Sequence, residues 1–295
     1  MTRYRWVASQ KADDFPVKIA CEVAEVSPSA FYEWADKEAA GPSEAEIDEA
    51  YLINLIIDIH ADTDQTYGSP RMAPELRRRG YCVNHKRVER HMRDNDIVGV
   101  TERKKVRTTL PAGGAPPLAD LVEFSLIGLR PTSVEDRIEP GHCEGDLIIG
   151  AKNASAVVTL VERTSRFNLL GDPPDGHDAT SVLACLIELL ERIPSSMRRT
   201  LTSDQGREMA RHHELAGAVH IDVFFAEPHY PWQRRTNENF NGLVRRYVGK
   251  GTNLSAYSQQ DLDRISLRIN TMPRRLHRWD SAQDRYDAAV VALTA

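Results

Sequence analysis

The sequence predicts an all-α region followed by an α/β domain in which helices cover both faces of one sheet. Two patterns and a break between them carry this prediction. From residue 144 to residue 226, short apolar segments and amphipathic helices follow the order strand, strand, strand, helix, strand, helix, strand, which is how an α/β sheet is written in sequence. Before residue 108 the apolar residues recur at helical spacing instead. Between the two, Pro111, Gly113, Gly114, Pro116 and Pro117 compose a linker. The expected organisation is a helical region over 1–107, a linker over 108–138 and an α/β domain with C-terminal helices over 139–295.

In the helical region, residues 15–36 read as helix, turn, helix: Ile19, Val23 and Val26 recur at helical spacing, Ser27 caps and Pro28 opens the second helix. This pair is acidic, which suits an assembly role better than entry into a DNA groove. A helix from Glu46 to His60 presents Ile47, Tyr51, Leu52, Leu55, Ile56 and Ile59 as a core-facing stripe. A further helix starts at Pro70 and stops at Gly80. The next runs from Asn84 to Asn95, with Val88 and Met92 inward and Lys86, Arg87, Arg90 and Arg93 outward. In the α/β domain, Glu144–Gly150, Ala156–Arg163 and Phe167–Gly171 read as strands of a meander. Asp178–Arg192 is an amphipathic crossover helix, Arg199–Asp204 a strand, Arg207–Ala218 a helix and Asp222–Ala226 the last strand. A long helix begins near Thr236.

At 295 residues the chain suits two or three domains. Its hydrophobic fraction of 41% and charged fraction of 27% are those of a soluble globular protein. No run of ~18 apolar residues is present, and the N-terminus lacks the apolar core of a signal peptide, so a cytoplasmic location without membrane contact is expected. Cys21, Cys82, Cys143 and Cys185 lie far apart with no C-x-x-C spacing, against zinc and against a disulfide framework. The formal net charge of −5 hides a split. Acids dominate from Lys11 to Asp64, whereas Arg71 to Arg107 is basic, with Arg77, Arg78, Arg79, Lys86, Arg87, Arg90 and Arg93. A local basic stripe binds phosphates whatever the total charge.

Three carboxylates stand out by their surroundings: Gly145-Asp146-Leu147-Ile148, Thr202-Ser203-Asp204-Gln205-Gly206 and Asn237-Glu238-Asn239. Two on strands and one on a helix can converge to hold divalent cations, as phosphodiester chemistry requires. Carboxylate oxygens suit hard, octahedral Mg²⁺, with Mn²⁺ as a substitute. These motifs, and the interval from Asp204 to Glu238, make residues 139–280 resemble the catalytic domain of bacterial DDE transposases, most closely the insertion sequence thirty family. Tyr67 to Val100, including Tyr67-Gly68 and Arg87-Val88, resembles the helix-turn-helix module of the insertion sequence three family. The resemblance implies a retroviral integrase-like, RNase H-like catalytic domain preceded by a helix-turn-helix region. It implies Asp146, Asp204 and Glu238 as catalytic metal ligands. It also implies that the helix from Asn84 enters the major groove while Arg77, Arg78 and Arg79 hold phosphate. Where this chain has Cys143 and Arg235, the family usually has tryptophan and glycine. A small residue in place of the aromatic predicts a cavity worth a few kcal/mol.

Other groups take lesser places. Arg245, nearly two turns after Glu238 on the same helical face, is expected to hold phosphate beside the metals, with Arg246 and Lys250 extending the strip. Glu144 shares a strand face with Asp146 by period-two alternation and is expected behind the acids. Asn237, Asn239 and Asn241 orient the acid or contact DNA, with helix capping as the plain alternative for Asn237. Glu208 is a weaker candidate ligand, and Glu162 is expected to pair with Arg163 or Arg166 at the surface. Tyr230 and Trp232 either stack on splayed bases or anchor packing. The function expected is DNA transposition: metal-dependent cleavage at element ends, then strand transfer into target DNA by a homo-oligomer associated with the nucleoid. A decayed or repurposed DNA-binding or assembly protein and a related integrase are the alternatives.

Overall fold

The computed structural model describes residues 2–100, 125, 127, 130, 131, 134, 136–174, 176–226 and 235–294, without the side chains of Arg235 and Glu238. The chain divides into two compact units, Met1–Glu102 and Arg103–Ala295. Most of the expected linker, together with Tyr230 and Trp232, lies outside the described residues.

The first unit is helical throughout its described residues. Helix α1 (Arg3–Ala12), absent from the sequence reading, is capped by the Thr2 hydroxyl, which accepts from the Arg5 amide. It packs with α2 (Val17–Val23) and α3 (Pro28–Ala40) around Val7, Ala20, Cys21 and Phe31. Ser27 caps α3 as its sequence predicts, accepting from the Ala30 amide at 3.2 Å. The larger apolar residues of α2 do not form its core face: Ile19 and Val23 are 47% and 67% exposed, and the small Ala20 and Cys21 are buried. Small side chains let this short helix lie close to its two neighbours, which turns its larger residues outward.

Helix α4 (Glu44–Asp62) opens with a capping box in which the Ser43 hydroxyl accepts from the Glu46 amide and the Glu46 carboxylate accepts from the Ser43 amide. Leu52, Ile56 and Ile59 face inward, but Ile47 and Tyr51, assigned to the same stripe, are 41% and 71% exposed. Helix α4 packs with α5 (Ser69–Arg78) and α6 (His85–Asp94), which bury Met72, Leu76, Val88 and Met92. Asn84 caps α6 through the Lys86 amide at 2.8 Å.

The second unit is built on a five-stranded sheet in the order β3-β2-β1-β4-β5. Its strands are β1 (His142–Ile149), β2 (Ala156–Glu162), β3 (Asn168–Gly171), β4 (Thr200–Ser203) and β5 (Asp222–Phe225). The meander β1-β2-β3 is antiparallel, and β4 and β5 then join β1 in parallel. Alternation sends Cys143, Gly145 and Leu147 to one face, with Val158, Leu160 and Leu169. There α7 (Ala179–Glu191) and α8 (His212–Val219) close the main core through Val182, Leu186, Leu190 and Leu215. The other face carries Glu144, Asp146, Thr159 and Asn168 and receives α9 (Arg235–Val248) and α10 (Gln259–Thr271). The last helix, α11 (Ala282–Thr294), stacks Tyr286 on Phe167 at 4.0 Å between ring centroids. Cys143 is fully buried in the same core as Tyr286, so aromatic volume from α11 stands near the missing tryptophan. Among the described residues no helix is long and apolar enough to cross a membrane.

Glu162 corrects one expectation. It is only 1% exposed and serves the β2–β3 turn: its carboxylate accepts from the Gly141, Thr164 and Ser165 amides at 3.2, 3.1 and 2.6 Å. Backbone donors thus take the place assigned to Arg163 or Arg166. Glu162→Ala strands these buried donors, and the expected loss is about 2–4 kcal/mol. Urea unfolding of the purified protein, followed by tryptophan fluorescence, measures it. A shift below a few tenths of a kcal/mol would contradict the assignment.

Candidate functional site

The parallel pairing of β1 with β4 brings the first two acids together. His142 lies beside Thr200, Cys143 beside Leu201 and Glu144 beside Thr202. The pairing stops there, and Asp146 and Asp204 lie two residues further along, on β1 and just past the end of β4. Both line a cleft of about 910 Å³, together with Leu147, Ile149, Asn153, His177, Arg207 and Glu208. Each is partly exposed there.

Helix α9 carries Glu238, whose backbone is helical and whose side chain lies outside the described residues. The helix is fastened to β1 at three levels. At its first turn, the Asn237 amide donates to Glu144 Oε2 at 3.0 Å. The Asn237 side-chain oxygen accepts from the Thr159 hydroxyl at 3.3 Å. One turn on, Asn241 Nδ2 donates to Asp146 Oδ2 at 2.9 Å, while Asp146 Oδ1 accepts from the Leu147 amide. Near its end, Arg245 donates to the carbonyls of Ile149 and Gly249. The helix bearing the third acid is therefore registered against the strand bearing the first.

Glu144 has no exposed surface, and its second oxygen lies 3.4 Å from Arg163 Nε. Arg166 lies in the same electrostatic neighbourhood, its pKa pulled down to about 10 by burial, then by Arg137, against the attraction of Glu144. Glu144 and Asn237, both named beside the acids in the sequence reading, are buried and hydrogen-bonded to each other. Asn239 is exposed. Thr159 and Arg163 were missed. The signal available was Thr159 in an otherwise apolar strand, a polar group that has to be satisfied once buried. Arg246 is half-buried and Lys250 exposed near the end of α9 and beyond it.

In the helical unit, Arg77, Arg78, Arg79 and Lys86 are exposed. Arg79 also pairs with Glu75 and Asp62 at 3.1 and 3.5 Å. Arg87 and Arg90 reach back from α6 to Glu49 of α4, at 2.6 and 2.7 Å, and buried His91 meets the same carboxylate. The arginine beside it holds the Glu49 carboxyl below its ordinary range. Sequence gave both arginines to DNA and did not foresee this acid beneath them.

Comparison with known proteins bears on both units. The HTH-like domain family matches residues 46–105, and the integrase core domain family matches residues 136–231. The chain carries an integrase core behind an HTH-like domain. It is 54% identical over 155 residues, 52% of this chain and 45% of the relative, to the transposase for insertion sequence element IS1086 of Cupriavidus metallidurans. Against transposase InsI for insertion sequence element IS30A of Escherichia coli, identity is 38% over 175 residues, 59% of this chain and 45% of the relative. Transposase InsF for insertion sequence IS3A of Escherichia coli is 26% identical over 121 residues, 41% of each chain. The chain spans about half the length of the curated relatives it matches. The integrase core has the RNase H-like fold, and the HTH-like region before it is helical.

The buried Glu144 supports a direct test of how the core is held. Glu144→Ala leaves the Asn237 amide and Arg163 without it, and removing one partner of a buried ion pair costs about 3–5 kcal/mol. Glu144→Gln keeps an acceptor for the amide and should cost less. Thermal and urea unfolding of the two variants give the ranking; equal stabilities for alanine and wild type would remove Glu144 from this role.

Proposed function

We propose that this chain is a DDE transposase that cleaves DNA phosphodiesters at insertion-sequence ends and joins the freed 3′ ends to target DNA. The observation that carries the reading is that Asp146 and Asp204 line one open cleft, with α9 pinned to β1 through Asn241. The donor set fits divalent cations, because partly exposed carboxylates offer hard oxygen ligands and leave room for water. Asp146, Asp204 and Glu238 would hold them, with Mg²⁺ as the proposed ion and Mn²⁺ as a substitute. Divalent cations bound there stabilise charge on the attacking and leaving oxygens of an in-line displacement.

The chain's own groups do the rest. Asn241 fixes the rotation of the Asp146 carboxylate at the cleft. Glu144 and Thr159 hold the first turn of α9, and with it the height of Glu238 above β1. Arg245, Arg246 and Lys250 supply positive charge for the DNA backbone, Arg245 with the donors left after its two carbonyl bonds. The exposed arginines of α5 and α6 are proposed to bind phosphate, with α6 entering the major groove. The proposed assembly is a homo-oligomer on two element ends, at the nucleoid.

Nicking of supercoiled DNA carrying candidate ends, with and without Mg²⁺, tests the reading. Asp146→Asn, Asp204→Asn and Glu238→Gln are each expected to lower cleavage by at least about a thousandfold while DNA binding persists, since an amide is a far poorer ligand for a hard cation. Near-native cleavage by any of the three would remove that residue from the site.

Binding by the helical unit is a separate expectation. A fragment of residues 1–110 should bind DNA with an affinity that falls steeply with salt, as lysines and arginines displace condensed counterions. Fluorescence anisotropy across a salt series reads the slope, and a flat response would refute the role given to α5 and α6.

A further inference from the structure

The end of the sheet opposite the cleft carries a group of arginines that the catalytic reading does not use. After α10 the chain folds into a loop, residues 274–280, closed on itself by its backbone. The Arg274 amide donates to the Asp280 carbonyl at 3.1 Å, and the Trp279 amide donates to the Arg274 carbonyl at 2.9 Å. His277 pins the loop to the β2–β3 turn, with its Nε2 2.8 Å from the Ser165 carbonyl. Glu162, just before that turn, pairs with Cys143 near the start of β1. The loop therefore stands at the other end of β1 from Ile149 and the cleft. It also lies beyond the residues that either domain family matches.

Positive charge gathers there. Arg275, Arg278 and Arg285 are exposed, and Arg166 and Arg274 are half-buried. His277 feels three of them: burial first, then Arg274, Arg285 and Arg166, hold it below its ordinary value despite its bond to Ser165. The two acids behind the turn are already engaged, Glu144 by Asn237 and Arg163, and Glu162 by backbone amides. Asp284 accepts from the Ser281 amide and hydroxyl at the start of α11. Among the described residues no carboxylate pairs with Arg275, Arg278 or Arg285. The backbone adds a second observation. Arg278 and Trp279 are consecutive left-handed residues, at φ 55° and 77°, a conformation that bulky side chains rarely adopt. Such strain persists where the surrounding structure enforces it, and it clusters at ligand sites. Here the strained pair closes the loop while Arg275 and Arg278 stay exposed on it.

We propose that the 274–280 loop is a further anion-binding surface of this chain, taking the phosphate backbone of duplex DNA at the end of the sheet opposite the cleft. The inference rests on reading the chain as a DNA-acting protein, and adds a contact outside both the cleft and the helical unit. Arginine suits this ligand because its planar fork grips phosphate oxygens in pairs. Each phosphate so neutralised releases condensed counterions, which makes the contact sensitive to salt.

The test is fluorescence anisotropy of the full-length protein on a labelled random-sequence duplex across a salt series, with far-UV circular dichroism to confirm folding. The double variant Arg275→Gln, Arg278→Gln should weaken binding at least about tenfold at about 0.1 M salt. It should also flatten the salt slope by about two, one for each lost phosphate contact. The double variant Arg275→Lys, Arg278→Lys keeps the charge and should hold the slope near that of wild type. Should the glutamine pair fail to fold, Arg275→Gln alone, outside the left-handed pair, carries the test with a slope change of about one. Wild-type affinity and slope in a folded glutamine variant would overturn the proposal and leave the other DNA contacts standing. Lost self-association in that variant, read by sedimentation velocity with DNA binding intact, would assign the loop to a protein partner and equally overturn it. Absence of DNA binding by the wild-type protein would instead sink the underlying reading.

Discussion

A carboxylate with no exposed surface needs partners inside the protein, and Glu144 is approached by two different elements. The Asn237 amide comes from the first turn of α9, where the helix dipole favours a negative charge. Arg163 comes from the end of β2. The ion pair is therefore also a measuring device: it sets where α9 begins relative to β1. Asp146 lies two residues along the same strand, and Glu238 one residue beyond Asn237 on the same helix. A change in the Glu144 contact therefore moves the first and third acids relative to each other. Thr159 and Asn241 repeat the constraint at neighbouring levels.

Much of the core was legible in the sequence because its signals are local. The order of strands and helices, the Ser27 cap and the motifs around Asp146 and Asp204 are each contained in short stretches. Period-two alternation alone put Glu144 on the face of Asp146. What escaped were the partners that sheet topology supplies: Arg163 and Thr159 come from β2, and no periodicity in β1 or α9 points to them. Glu162 was misread for a related reason. Beside Arg163 in sequence it looks like half of a surface pair, but the turn to β3 brings two amides onto it and Gly141, just before β1, a third. The exposed Ile47 and Tyr51 show the converse error, since periodicity identifies an apolar stripe but not how much of it a neighbour covers.

The helical unit raises a question of charge. Glu49 gathers Arg87, Arg90 and His91 under one carboxylate, and so lowers the positive field that α6 presents. Both arginines remain exposed, where ion pairs are weak and exchange partners readily. In the proposed complex a DNA phosphate would take over from Glu49 without a buried charge being stranded. The same carboxylate would restrict the two side chains beforehand, lowering the ordering cost of the contacts proposed for them. The acid beneath the basic stripe thus trades long-range attraction for preorganisation.

The cleft itself is a consequence of unequal strands. β1 continues to Ile149, whereas β4 ends at Ser203 and pairs with β1 only through Glu144. Beyond that point the β4 side of β1 is left uncovered, and Asp146, Leu147 and Ile149 line open space. Ligands of open α/β sheets bind outside the carboxyl ends of parallel strands for this reason. The chain leaves β4 through Asp204, Gln205 and Gly206, and Gln205 is tied back to the Ala226 carbonyl at 3.2 Å. That bond holds the exit from the strand beside β5, and Asp204 and Glu208 line the same opening. Early termination of one strand thus creates the cavity and also delivers the acids that line it.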